Sequence, residues 1–388
     1  MKMNKKRARV IAYYLPQFHP IPENDTWWGK GFTEWTNVGK ARPLFKGHYQ
    51  PRVPADLGYY DLRLSEVREA QAKMAQEAGV DGFCYWHYWF SHDNKLLDRV
   101  FNEVLQNGTP DFPFCLGWAN HNWTNKSWEA GTRKVKEQTL MEMIYTREEY
   151  IMHFFDVLPA FKDRRYMTID GKPIFVVWDP LGFPDISEFI CTWQELALEN
   201  GLPGIYFIGT KQNIDMTDKA DKAFSIFKRN INTASRHYRA VLDAGFDAVN
   251  SKGYDRAEYI CRSPFDVLFR TLASRLFNYF PISKCEQYKI NENSFVEEDK
   301  WENVYPSIMP GWDRSPRSGK KARIHINATP EVFGKHVQDA LELIKDKKDE
   351  HKILFLWSWN EWAEGCYMEP DLKYGHEFLD ILRDAIFY

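Results

Sequence analysis

Close to its C-terminal end the chain runs Ile353-Leu354-Phe355-Leu356-Trp357-Ser358-Trp359-Asn360-Glu361-Trp362-Ala363-Glu364-Gly365, an apolar stretch that empties into two glutamates three positions apart. On an extended strand those carboxylates would point to opposite faces. If the backbone turns helically after Asn360, they share one face, with Cβ atoms about 5–6 Å apart. That approaches the ~5–5.5 Å carboxyl separation of glycosidases that retain anomeric configuration. Desolvation among indoles, together with like charge, would raise at least one pKa toward the working range of a general acid. The spacing is unspecific by itself, since a solvated E-x-x-E at a helix start is common. Its position behind a tryptophan-rich apolar run gives it weight. Glu34, in Gly31-Phe32-Thr33-Glu34-Trp35, is a third candidate carboxylate.

Other chemistries find less support. The histidines are scattered, with no H-x-H or H-E-x-x-H, so no metal centre and no cofactor are expected. The six cysteines are spread without a C-x-x-C pair, which argues against zinc-finger spacing and against a disulfide framework. No D-x-D, Gly-rich phosphate loop or basic cluster stands out for a nucleotide-sugar diphosphate. A net charge of −3 leaves no nucleic-acid footprint. No run of about 18 apolar residues offers a transmembrane segment. A basic tail over residues 1–8 leads into a short apolar run that meets Pro16 without a cleavage site; no secretion signal is read, and a cytoplasmic location is expected.

The elements that must position these groups alternate. Strand-like apolar runs lie at 9–15, 80–88, 112–119, 173–178, 204–210, 246–250, 304–309 and 352–359. They are largely continuous, as expected for strands covered on both sides. Helical patterns follow at 62–78, 148–161, 331–345 and 376–385, the third with Thr329 and Pro330 as its start signal. Eight alternations predict an α/β fold, a single (β/α)8 barrel spanning 1–388 with long βα loops. Residues 261–303 read as an elaborated sixth helix with an insertion. An open doubly wound sheet is the rival, weakened because no G-x-G-x-x-G follows the first strand.

In a barrel, chemistry belongs at the C-terminal ends of the strands. Of 15 tryptophans, all but Trp193 and Trp301 fall there, from Trp27, Trp28 and Trp35 through Trp128 to Trp362. Sugar rings present apolar faces that stack on flat aromatic rings, while their hydroxyls need fixed polar partners. The expected binding set is therefore Tyr13, Glu34, Trp35, Trp86, His87, Trp118, Asn120, His121, Trp123, Asp179, Trp312, Asp313, Trp357, Asn360 and Trp362, around Glu361 and Glu364. The partner implied is an oligo- or polysaccharide.

At these residues the chain resembles a known family. Tyr13-Tyr14-Leu15-Pro16-Gln17-Phe18-His19-Pro20, Gly29-Lys30-Gly31-Phe32-Thr33-Glu34-Trp35-Thr36-Asn37, Gly82-Phe83-Cys84-Tyr85-Trp86-His87-Tyr88-Trp89-Phe90, Pro310-Gly311-Trp312-Asp313 and the strand-eight motif are similar to the WbsX family. That family is often labelled glycosyltransferase and is similar to glycoside hydrolase family 99, the endo-α-mannosidases and endo-mannanases. The resemblance implies a (β/α)8 barrel and metal-independent, retaining cleavage of α-linked glycans. It implies Glu361 as the base that deprotonates the sugar 2-hydroxyl, giving a 1,2-anhydro intermediate, and Glu364 as the acid/base. His121 departs from the glutamate of many relatives. A glycosyltransferase of bacterial O-antigen or capsular polysaccharide assembly is the alternative, and a non-catalytic glycan-binding barrel a third reading.

Overall fold

The computed structural model describes residues 6–125, 138–212, 234–262, 269–270, 272–273 and 281–387. Eight parallel strands form its centre: β1 (Arg9–Tyr14), β2 (Gly82–Ser91), β3 (Phe114–Trp118), β4 (Lys172–Val177), β5 (Tyr206–Gln212), β6 (Ala248–Lys252), β7 (Val304–Ile308) and β8 (Ile353–Leu356). Each pairs with the next, and β1 pairs with both β2 and β8, so the sheet closes. The long helices cover it: α1 (Ser65–Glu77), α2 (Arg99–Asn107), α3 (Arg147–Phe161), α4 (Ile186–Glu199), α5 (Ala234–Asp243), α6 (Tyr254–Cys261), α7 (Pro330–Ile344) and α8 (Glu377–Phe387). This is a single (β/α)8 barrel, and all eight sequence-predicted strands are its staves. No helix among the described residues is long and apolar enough to cross a membrane.

The helices dock by the stripes their sequences carry. In α7 the Thr329 side chain accepts the Val332 amide and Pro330 opens the first turn. Its Phe333, Val337, Leu341 and Ile344 are buried, as are Leu379, Leu382 and Ile386 of the adjoining α8.

Two places differ from the sequence reading. Strand eight stops at Leu356, not Trp359, because the chain leaves the ladder for a hairpin in which Asn360 pairs Tyr367 and Glu361 pairs Cys366. A 3-10 turn, Trp362–Glu364, forms its tip. Between β6 and β7, a strand Ser283–Glu286 pairs in parallel with Arg323–Ile326 outside the barrel, followed by a short helix Gln287–Glu292. Much of 263–280 lies outside the described residues, as do 1–5 of the basic tail and Trp128.

Candidate active site

The loops beyond the C-terminal strand ends enclose a cavity of about 380 Å³ that reaches down to the hairpin after β8. Its floor is aromatic. Trp86, Trp178 and Trp357 meet with ring centroids 5.3–5.9 Å apart. Tyr13 lies beneath, stacked on Trp86 at 4.7 Å and held by its hydroxyl to Asn250 Oδ1 at 2.8 Å. Gly117 makes room for this floor: a Cβ there would meet Trp86 ring carbon at 3.3 Å and Cys84 Sγ at 3.0 Å.

Glu361 and Glu364 line the cavity together, both buried, and each carboxyl bears on the titration of the other. The 3-10 turn produces this meeting. Gly365 closes it in the left-handed region, φ +63°, and its bare Cα lets the Asp313 backbone approach, since a Cβ would lie 2.9 Å from Asp313 N. Asp313 N then donates to Glu364 O at 2.7 Å, and Asn360 ties the hairpin to β1 through Leu15 N (2.7 Å) and Leu15 O (3.0 Å).

The two acids sit in different fields. Glu361 accepts only from Trp86 Nε1, at 3.2 Å among the described residues, and burial, then the charge of Glu364, push its pKa up to about 8. Burial also pushes Glu364 up, but the guanidiniums of Arg314 and Arg317 outweigh it and hold its pKa below the usual carboxylate range. Arg317 Nη1 bonds Glu364 directly, and its Nη2 reaches Glu34 Oε1 at 2.7 Å. Glu34 Oε1 also accepts the Ala363 amide at 3.2 Å, so this fully buried acid holds the turn between the pair. The surroundings thus drive the two carboxyls apart, Glu361 toward its protonated form and Glu364 toward its charged form.

Seven of the sequence-predicted residues line the cavity: Trp86, His121, Trp123, Trp312, Trp357, Glu361 and Glu364. The others lie around it. Along β2 successive side chains alternate, so Trp86 and Tyr88 face in while His87 and Trp89 face the helices. His87 Nε2 meets His153 Nε2 at 2.9 Å, and burial takes its pKa down to about 4. Trp118 faces out by the same alternation, packing on His153 and Phe189 with Nε1 bonded to Trp89 O at 2.8 Å. Asn120 makes reciprocal bonds to the Asp179 backbone at 2.7 and 2.8 Å, joining two loops, with Asp179 itself exposed. Trp362 stacks on Tyr367 at 3.8 Å and donates to the buried Glu369 at 2.6 Å; Trp35 packs on Trp362 at 5.5 Å. Asp313 is buried under Gln50, His48 and Ser315, whose hydrogen bonds, with Arg52, overcome its burial and hold it well below the carboxylate range. Most of these tryptophans are therefore packing, and five form the cavity wall: Trp86, Trp123, Trp178, Trp312 and Trp357.

Residues outside the sequence-predicted set complete the lining: Tyr88, Lys252, Tyr254, Glu258, Arg314, Arg317, Arg323 and His325 among them. Strand alternation from Trp86 would have found Tyr88. The absence of a basic cluster inferred from sequence is corrected here, because Arg314, Arg317 and Arg323 come from one loop after β7, Arg314 through Arg323 holding five basic residues in ten. Among the described residues no group of three or more His, Cys, Asp or Glu side chains is placed to hold a metal ion.

His121 lies at the solvent-exposed rim of the cavity, and among the described residues it makes no hydrogen bond to either carboxyl of the pair. His121→Ala is expected to raise KM several-fold with kcat nearly unchanged in steady-state assays. A collapse of kcat at constant KM would contradict that.

The model of the family described as glycosyltransferase WbsX matches residues 10–382. The chain belongs to the WbsX glycosyltransferase family. Two proteins of Xanthomonas campestris pv. campestris, both described as uncharacterized protein WxcX, are each 32% identical over 98% of this chain. The chain spans half the length of these curated relatives, 50% of each. Among solved structures, a glycoside hydrolase-like protein is similar at TM-score 0.56 and 15% identity, covering 100% of this chain and 96% of its own. The GH99 endo-alpha-mannosidase from Bacteroides thetaiotaomicron is similar at TM-score 0.55 and 13% identity, covering 97% and 96%. At those identities the likeness is one of fold.

Proposed function

We propose that this WbsX-family barrel breaks α-linked glycosidic bonds with retention of configuration, passing the sugar to water or to an acceptor hydroxyl, through Glu361 and Glu364. The observation that carries the reading is the carboxyl pair itself: buried together, oppositely biased in charge, and set on an indole floor. A base-plus-acid pair needs one proton between its two carboxyls, and this pair holds one.

In the proposed cycle Glu361 takes the proton of the sugar 2-hydroxyl as O2 attacks the anomeric carbon. The C1–oxygen bond breaks, and Glu364 gives its proton to the leaving oxygen, leaving a 1,2-anhydro sugar. Water or an acceptor hydroxyl, losing its proton to Glu364, then opens that ring, and O2 recovers its proton from Glu361. In the empty site the shared proton rests on Glu361. The proton passes to Glu364 when the 2-hydroxyl docks, and Glu361, freed of it, is the stronger base of the two.

Incubation with α-mannan or bacterial surface glycans, with the anomer of the first product read by NMR, tests the reading. A retained α-product is expected. Consumption of a nucleotide sugar with no glycan cleavage would overturn it. That second outcome has its own support in the basic wall of Arg314, Arg317 and Arg323, and would make the chain a glycosyltransferase of surface polysaccharide assembly.

A pH dependence follows. The raised pKa of Glu361 means the pair keeps its proton below about 8 and loses it as pH rises through that value. Activity is expected to fall on the alkaline side there. The acid limb belongs to Glu364 and lies below the ordinary carboxylate range, because its pKa is lowered. A kcat profile still rising beyond pH 9 would refute this assignment.

A further inference from the structure

Four cationic side chains line the cavity: Lys252, Arg314, Arg317 and Arg323. Two are matched by the protein. Arg317 is shared by Glu34 and Glu364, and Arg323 Nη1 is paired with Asp255 at 2.8 Å and Glu258 at 2.6 Å. The other two are not matched in this way. Arg314 approaches Glu364 with Nε at 3.3 Å, on the same oxygen that Arg317 holds, and its side chain is 33% exposed. Lys252, at the end of β6, places Nζ 3.1 Å from the Trp178 ring centroid and 4.3 Å from that of Trp357. Among the described residues no acidic oxygen forms an ion pair with it. Two indole faces compensate part of the lost hydration of an ammonium, but less than a counter-charge would. Burial accordingly pushes the Lys252 pKa down to about 7 against the pull of Asp255, Glu361 and Glu364.

We propose that the saccharide bound here carries an anionic substituent, a carboxylate or a phosphate ester, seated between Lys252 and Arg314 above the indole floor. This rests on the reading of the cavity as a saccharide site. The anion supplies the counter-charge the ammonium lacks, and the open fork of Arg314 matches either oxyanion in two-point contact. The site would then select charged glycans over neutral ones by electrostatics, while the rings beneath supply the stacking common to both.

Binding of D-glucuronate, D-mannose 6-phosphate and neutral methyl α-D-mannopyranoside to the whole chain, measured by saturation-transfer NMR titration, tests the proposal. At least one charged sugar is expected to bind about tenfold tighter than the neutral one, roughly one net charge contact. The carboxylate and phosphate arms tell which anion is preferred. Lys252→Gln and Arg314→Gln should each reduce the preference to within about twofold. The neutral sugar reports whether each variant still folds, and the partly exposed Arg314 gives an independent readout if Lys252→Gln does not. Equal affinity for charged and neutral sugars overturns the proposal, as does a preference that survives both substitutions. Uridine diphosphate binding tighter than either charged sugar also overturns it, by placing the anion on a donor nucleotide. Cleavage of a neutral glycan without charge preference would sink this inference alone, and charge preference without cleavage would sink only the proposed reaction.

Discussion

Glu364→Gln is expected to lower kcat on a natural glycan by about 10³-fold or more, the scale of a lost general acid with a poor leaving group. Glu361→Gln should do at least as much, since the amide cannot accept the 2-hydroxyl proton. An activated substrate separates the two. A nitrophenyl α-glycoside needs no protonation of its leaving oxygen, so Glu364→Gln should recover much of its first-step rate there, while Glu361→Gln should not. Rescue of Glu361→Gln in place of Glu364→Gln would reverse the roles and match the resting position of the proton. Wild-type rates in both variants would remove the pair from the chemistry. Stability gives a second reading of Glu361. Its raised pKa means the folded state is favoured below the unfolded value of the carboxyl and loses that advantage as pH rises through about 8. The Gln variant carries no charge to bury, so its Tm should exceed that of the wild type above pH 8, although it is inactive.

The sequence made the barrel readable because its eight staves are buried on both sides and so are written as unbroken apolar runs, from Val10–Tyr14 to Ile353–Leu356. The placement of Glu361 and Glu364 in the cavity was readable for a related reason: two glutamates directly behind such a run must leave the ladder at the barrel mouth. What one strand supplies was legible, and what several loops assemble was not. His87 and Trp118 occupy end-of-strand positions as Trp86 does, but the side-chain period of two turns them into the helical layer. Arg317 stands 44 residues from Glu361 in sequence and meets Glu34 and Glu364 only because the β1, β7 and β8 loops fold onto one another. Lys252 lies two residues beyond the predicted end of strand six. Glu369, buried under Tyr60, Gln71 and Trp362, gives no sign in its local sequence that it anchors the far side of the hairpin.

Arg317→Ala is expected to cost about 3–5 kcal/mol of folding stability, the scale for removing one partner of a buried ion pair. Its side chain is 8% exposed, and it divides its guanidinium between Glu34, at 0%, and Glu364. Without it, Glu34 is left as a buried acid whose pKa burial already raises, and it takes up a proton instead of remaining charged. The expected drop in Tm is roughly 4–6 °C by calorimetry. Arg317→Lys should recover little, because one ammonium cannot hold two carboxylates in the geometry of a planar fork. Adding Glu34→Gln to Arg317→Ala removes the stranded acid and should restore part of the Tm. It should not restore turnover. Glu364 would keep Arg314 but lack the second of the two guanidiniums that lower its pKa, so the pair would gain a second proton at higher pH and the acid limb of the kcat profile would move upward. An unchanged Tm in Arg317→Ala would refute the structural half of this prediction, and an unmoved acid limb in the double variant would refute the electrostatic half. Arg317 is thus expected to couple fold and chemistry through one guanidinium: it holds the turn that brings Glu361 and Glu364 together, and with Arg314 it sets which of them is charged.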